Sequence, residues 1–165
     1  AARWDAKSVR SRRVEIDLET WLNERIPAWR ELLGPGAALD RTGDALPDRI
    51  LADPKMLDLV CGNLVENAKK FAIDRPELSL RTEVHGSRWR IEFSDRGLGF
   101  EPSEAKKIFK RFHRAKHSAP YSISGTGLGL YLARAAGKRM KISISAESPG
   151  PRKGATFSLS GKASG

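Results

Sequence analysis

Residues 53–71 constrain the fold more tightly than any other stretch, because they dictate a helix with two distinct faces. Asp53 can accept the first unpaired backbone N–H groups and Pro54 suits the first helical position, so this pair predicts the N-terminus. At about 100° per residue, Leu57, Val60, Leu64, Ala68 and Phe71 form one apolar stripe, the expected core face. Asn63, Asn67 and Lys70, spaced i, i+4, i+7, form a second stripe roughly a quarter-turn away. Two carboxamides and an ammonium beside a core stripe are an unusual use of a helix flank. A buried polar group without a partner costs about 1–3 kcal/mol. Something polar must therefore cover this flank, and on these residues alone solvent and a bound ligand stand level.

The remaining chain punctuates itself. Val14-Glu15-Ile16-Asp17-Leu18 alternates like a short strand, and residues 19–33 have helical spacing through Leu22, Ile26, Trp29 and Leu33. Pro27 is expected to kink or shorten that helix, and Gly34-Pro35-Gly36 stops it. Residues 37–41 and 49–52 read as short strands around a Gly/Asp/Pro turn, and the central helix is expected over 54–72. Strict alternation over 78–84 and 89–93, either side of His85-Gly86-Ser87, predicts a hairpin. A short basic helix is expected over 101–112, and a longer helix over 128–140. Last strands at 141–146 and 155–159 flank a Pro/Gly-rich turn at 148–154. This order gives an α/β class: a two-layer sandwich, its mixed and mostly antiparallel sheet packed against about three helices.

Composition narrows the function classes. At 165 residues, 39% of them hydrophobic, the chain reads as one domain with a real core. It contains no run of about 18 apolar residues and no signal-peptide pattern. The lone cysteine, Cys61, sits toward the apolar side of the central helix and reads as a small core residue, which suits a reducing, cytoplasmic setting. Thirty Lys+Arg against twenty Asp+Glu give a formal charge of +10, which favours an anionic ligand. The basic residues are scattered apart from Arg10-Ser11-Arg12-Arg13 and the run 106–116. No helix-turn-helix, zinc-finger or RNA-binding aromatic pattern accompanies them, so no nucleic-acid partner is expected.

Two glycine boxes carry further chemistry. Asp95-Arg96-Gly97-Leu98-Gly99-Phe100 follows directly on an expected strand, and Gly125-Thr126-Gly127-Leu128-Gly129-Leu130 directly precedes an expected helix. Glycines let backbone approach a ligand closely, and unpaired N–H groups at a helix start attract phosphate. The second box is neither a Rossmann fingerprint nor a Walker A loop, since its spacing differs and no Lys-Ser/Thr follows. Either box alone is no more than a turn.

Taken in order, these stretches resemble the four boxes of the catalytic, ATP-binding domain of bacterial sensor histidine kinases, the Bergerat fold. Residues 63–71 are similar to its N box, 95–100 to its first glycine box, Ile108-Phe109-Lys110-Arg111-Phe112 to its F box and 125–130 to its second glycine box. The resemblance covers about residues 14–160. It implies that ATP and Mg²⁺ are bound, with Asn67 holding the metal through its amide oxygen, Asn63 lining the same site and Lys70 neutralising phosphate charge. Asp95 would accept a hydrogen bond from the adenine amino group, while Gly97 and Gly99 would let the chain pass close to the purine. Gly125, Thr126, Gly127, Leu128, Gly129 and Leu130 would wrap the triphosphate, with Lys110 or Arg111 reaching the phosphates. Phe109 and Phe112 would anchor the lid, residues 113–124, by packing.

The chain also departs from the family pattern. The family's phosphoacceptor histidine is followed by an acidic residue, whereas His85 precedes Gly86, His113 precedes Arg114 and His117 precedes Ser118. The acceptor is therefore expected on a separate dimerisation domain of the parent kinase, with a response regulator downstream. Residues 1–13 would be a linker or stub of the dimerisation helices, 14–160 the catalytic domain and 161–165 a flexible tail. The missing initiator Met points to an excised fragment, of a parent that could be membrane-anchored. One turn before the metal-binding Asn, related ATPases carry a water-activating Glu. Asn63 cannot act as a base, which favours phosphoryl transfer to a docked acceptor over steady hydrolysis. The alternative is a nucleotide-binding regulatory module, such as an anti-sigma-factor-type serine kinase or a degenerate ATP sensor.

Overall fold

In the computed structural model, which describes residues 12–111 and 128–164, the central helix spans Pro54–Lys70. We label it α2, following α1 (Leu18–Leu33) and preceding α3 (Gly129–Arg139). Asp53 caps α2 as expected, its carboxylate accepting the N–H of Lys55 at 3.0 Å and of Met56 at 3.4 Å. The buried face comprises Met56, Leu57, Val60, Cys61, Leu64, Val65 and Ala68. Phe71 differs from expectation: it is only half-buried and caps the helix, its N–H bonding to Asn67 and Lys69 carbonyls. Cys61 is fully buried, and that burial pushes its thiol pKa up, which makes it a core residue rather than a nucleophile.

The main sheet has five strands in the order β2-β4-β5-β7-β6. They are β2 (Ala38–Gly43), β4 (Glu77–His85), β5 (Arg88–Asp95), β6 (Ser143–Glu147) and β7 (Ala155–Lys162). Only β2 and β4 pair in parallel; the β4–β5 hairpin and the other pairings are antiparallel. One sheet face, with Leu78, Leu80, Ile91, Phe93 and Leu159, is buried under the helices. The other carries residues such as Ser79, Arg81 and Arg90. The strands around the Gly/Asp/Pro turn do not pair with each other. Instead, β3 (Ile50–Ala52) joins β1 (Val14–Ile16) in a separate two-stranded sheet. The chain leaving β2 is held to β4: Asp44 accepts the Val84 N–H at 3.0 Å. A Cβ on Gly43, which has φ +104°, would fall 2.1 Å from the Thr82 carbonyl oxygen.

Pro27 does not end α1, which runs on from Leu18 to Leu33. Burial of Ile26, Trp29 and Leu33 around it, with Trp29 packed 5.9 Å from the Phe93 ring, outweighs the lost hydrogen bond of about 3 kcal/mol. Glu19 in the first turn of α1 accepts from Arg41 at 2.7 Å and from the Leu46 N–H at 2.8 Å. The Arg41 hydrogen bond, with smaller help from Leu46 and Asn23, holds its carboxyl down at about 2 despite some burial.

Two further expectations are corrected. The basic helix expected over 101–112 is, in its described part, a pair of 3-10 turns, Pro102–Glu104 and Lys107–Phe109. Helices shorter than about 12 residues are marginal without a long apolar stripe, and here the chain buries only Glu104, Ile108 and Phe109. The tail expected to be flexible from 161 is held through Ser164: β7 continues to Lys162, Ala163 N–H bonds the Ser87 carbonyl at 2.7 Å, and Ser164 N–H bonds that of Arg49 at 2.9 Å. No described helix is long and apolar enough to cross a membrane.

Candidate nucleotide site

The site is built around α2, which touches both glycine boxes. At its C-terminal end the Phe71 carbonyl accepts the Leu98 N–H at 2.9 Å. A Cβ on Gly97 would fall 2.4 Å from that same oxygen, so only glycine lets the strand-end loop dock there. About two helical turns before Lys70, Asn63 meets α3: a Cβ on Gly129 would fall 2.8 Å from Asn63 Oδ1. The N-terminus of α3, reached through Leu128 with no side-chain cap, therefore starts against the carboxamide stripe. Its first N–H groups have no partner within the helix, which makes this end attractive to anions.

The members of the stripe are not equivalent. Asn63 Nδ2 donates to the Leu59 carbonyl at 2.9 Å, so this carboxamide is pinned to its own helix. Asn67 is half-buried, and its carboxamide makes no hydrogen bond to the described residues. Lys70 is exposed, with Nζ 5.8 Å from the Phe71 ring centroid. Phe71 apart, the apolar stripe and this polar flank thus stand where the helical spacing put them.

Asp95 ends the strand at the centre of the sheet, opposite Leu78 on β4 and Ala155 on β7. Its Oδ1 accepts two backbone N–H groups, from Gly97 at 2.9 Å and Ala155 at 3.2 Å. Oδ2 accepts from none of the described residues. Burial pushes the Asp95 carboxyl up to about 6, and the two N–H groups offset only part of that effect. Gly99, with φ +58°, faces the 148–154 turn rather than open space: its Cβ would fall 2.5 Å from the Gly154 carbonyl.

Lys110 is exposed at the end of the second 3-10 turn, and the Arg111 guanidinium lies 5.8 Å from the Tyr131 ring on α3. Phe109 is buried as expected, edge-on to Phe157 at 6.3 Å with the Arg134 guanidinium 5.2 Å from its ring. Leu130 lies half-buried in the first turn of α3. Gly125, Thr126, Gly127, Phe112, the lid 113–124 with His113 and His117, and residues 1–11 all lie outside the described residues. His85 is exposed at the end of β4. Ser148 and Ala155, which hold the first glycine box, escaped the sequence reading. The Pro/Gly-rich turn between two strands was their only signal.

A half-buried strand-end carboxylate, a carboxamide-bearing helix flank and a second helix entered through glycine define an ATPase-type α/β sandwich. Residues 52–163 match the model of the histidine kinase-, DNA gyrase B- and HSP90-like ATPase family, and the chain belongs to that family. Within that family, the relatives the chain is similar to are sensor proteins and sensor histidine kinases. It is 32% identical over 116 residues to the sensor protein TorS of Escherichia coli (strain K12), covering 70% of this chain and 12% of TorS. It is 31% identical over 146 residues to the sensor-like histidine kinase SenX3 of Mycolicibacterium smegmatis, covering 88% of this chain and 38% of SenX3. The chain thus spans well under half of either relative. Among solved structures, the mycobacterial sensor histidine kinase MprB superposes with a TM-score of 0.74 at 18% identity, over 93% of this chain and 98% of that one. Full-length ShkA in complex with AMPPNP gives 0.73 at 23% identity, over 96% of this chain and 33% of that one. These two likenesses concern the fold.

Proposed function

We propose that this domain binds ATP with Mg²⁺ and presents the γ-phosphoryl group to a histidine on a separate dimerisation domain of its parent kinase. The observation that carries the reading is Asp95: a half-buried carboxylate with Oδ1 fixed by two backbone donors and Oδ2 accepting from none of the described residues. Adenine offers a donor amino group where guanine offers a carbonyl oxygen, so such an acceptor selects adenine. Gly97 and Gly99 keep the loop beside the base tight. Asn67 supplies one neutral oxygen to Mg²⁺, with Asn63 behind it; Lys70 and Lys110 or Arg111 balance phosphate charge, and Gly125, Thr126, Gly127, Leu128, Gly129 and Leu130 enclose the phosphates.

The donor set fits Mg²⁺ that arrives with a nucleotide. Among the described residues no group of three or more His, Cys, Asp or Glu could hold a metal by itself. Mg²⁺ is commonly held by few protein ligands together with substrate phosphates. The Asn67 carboxamide, which bonds none of the described residues, suits that division. The bound metal would supply charge neutralisation at the phosphates, and the chain itself would orient the nucleotide and keep the adenine edge dry. Residues 14–160 would form the catalytic unit, acting on the cytoplasmic side with a response regulator downstream.

The test is reconstitution. Mixed with a dimerisation domain carrying its acceptor histidine and with Mg-ATP, the chain yields acid-labile phosphohistidine, and the Asn67→Ala variant yields none. Acid-stable phosphoserine, or ATP binding without any transfer, would overturn the histidine-kinase reading in favour of a regulatory module.

A further inference from the structure

We propose that Ser148 is a positioning residue for adenine recognition: its buried hydroxyl fastens the 148–154 turn to the strand-end loop 95–100 and so aims the Asp95 carboxylate. This rests on the reading of Asp95 as the adenine acceptor. Ser148 lies just after β6 and is only 6% exposed. Its Oγ accepts the Phe100 N–H at 3.1 Å and the Gly150 N–H at 3.2 Å. The single hydroxyl proton points to the Gly154 carbonyl, at 2.7 Å, in preference to that of Gly150 at 3.1 Å. A serine hydroxyl offers one donor and two acceptor sites, and all three are used.

The two segments that Oγ joins are the two that hold Asp95. Oδ1 takes one N–H from Gly97, in the loop, and one from Ala155, directly after the turn. Two more bonds stitch the same seam, Gly154 N–H to the Gly97 carbonyl at 3.0 Å and Arg152 N–H to the Leu98 carbonyl at 2.6 Å. Space is equally tight. A Cβ on Gly99 would fall 2.7 Å from Ser148 Oγ, and one on Gly154, with φ +75°, would fall 2.2 Å from the Asp95 carbonyl oxygen. Removing Oγ leaves the Phe100 N–H and the Gly154 carbonyl without this partner at the joint. The loop and the turn can then shift apart, and the angle at which Oδ2 faces the base shifts with them. Ser148 touches no reacting atom; it acts through Asp95.

The test is calorimetric binding of Mg-ATP, Mg-GTP and Mg-tripolyphosphate to Ser148→Ala, Ser148→Thr, Asp95→Asn and the Ser148→Ala/Asp95→Asn double variant. Losing this joint should weaken ATP on the order of tenfold, as for one buried hydrogen bond. GTP and tripolyphosphate should change less than about twofold, so the ATP:GTP preference falls. Ser148→Thr, which keeps the hydroxyl, should restore most of the preference. In the Asp95→Asn background Ser148→Ala should cost ATP nothing more, since the group it aims is already gone. An unchanged ATP:GTP preference in Ser148→Ala, or equal losses for ATP and tripolyphosphate, would overturn the proposal. Should the alanine variant not fold, Ser148→Cys, with its weaker hydrogen bonding, is read by the same criterion. Loss of the preference in Asp95→Asn but not in Ser148→Ala rejects Ser148 alone. No preference in the wild type, or one that Asp95→Asn leaves intact, rejects the reading of Asp95 beneath it.

Discussion

Replacing Asp95 by Asn should stabilise the empty domain while disabling it. The carboxyl is ordinarily half-ionised at 3.8 but in the fold only at about 6, chiefly because burial disfavours the charge. A tenfold change in proton affinity is about 1.4 kcal/mol, so above pH 6 the ionised form costs the fold on the order of 3 kcal/mol. The sign follows from the direction. An acid whose folded pKa is raised costs nothing below its unfolded pKa, and its full cost is reached once pH exceeds the folded one. The carboxamide of the variant keeps an Oδ1 acceptor for the Gly97 and Ala155 N–H groups without the charge. Allowing for weaker bonds to a neutral amide, the variant should gain about 1–3 kcal/mol at pH 7.5 and about 1 kcal/mol or less at pH 4.5. For a domain of this size each kcal/mol raises Tm by about 2–4 °C. Urea unfolding of both proteins at pH 7.5 and 4.5, without nucleotide, reads the difference directly. A variant less stable than wild type at pH 7.5, or one with the same advantage at both pH values, would refute the claim that Asp95 is held ionised against burial.

Other perturbations test other parts of the account. Asn67→Ala should abolish the Mg²⁺-dependent part of ATP binding and leave Tm within about 2 °C, because its side chain bonds no described residue; calorimetry with and without EDTA checks this, and unchanged Mg²⁺ dependence would reject the metal role. Gly97→Ala forces a methyl to 2.4 Å from the Phe71 carbonyl. It should cost about 1–3 kcal/mol as overpacking and weaken ATP as the loop leaves α2, both measurable in one thermal-shift titration. Glu19→Gln breaks the tie among α1, Arg41 and the Leu46 N–H. Its folded pKa is lowered to about 2, so its stabilisation is present above its ordinary 4.5 and lost as pH falls through 2. After discounting for partial exposure, the variant should be about 1–2 kcal/mol less stable at pH 7, and the gap should close near pH 2.

The parts legible in the sequence are those fixed by near neighbours. Asp53-Pro54 and the apolar stripe specify α2 by capping and period alone, and the β4–β5 hairpin follows from strict alternation around a short turn. What escaped depends on distant partners. Pro27 is tolerated because Trp29 finds Phe93, far along the chain. The strands at 38–43 and 50–52 look like a hairpin until β4 and β1 take one each. The stretch 101–111 has helical composition but too little apolar surface to hold a full helix. At the site, residue type singled out Asn67, because carboxamides beside a core stripe are odd wherever they dock, whereas Asp95 came forward only through the resemblance of its glycine box. Gly97 and Gly99 were legible as close-approach positions, but not the backbone they approach, which includes the Phe71 and Gly154 carbonyls. Ser148 carried no signal beyond its Pro/Gly-rich turn, since its bond to Phe100 spans 48 residues of chain.

The central claim is that one Mg-nucleotide bridges the α2 flank, the end of β5 and the start of α3. Titrating ¹⁵N-labelled protein with Mg-AMPPNP tests it most directly. The account predicts shifts concentrated at Asn63, Asn67 and Lys70, at residues 95–100 and at Leu128, Gly129 and Leu130, with little change in β1, β2 and β3. Saturable binding whose shifts fall elsewhere and leave Asp95 and Asn67 unmoved would contradict it.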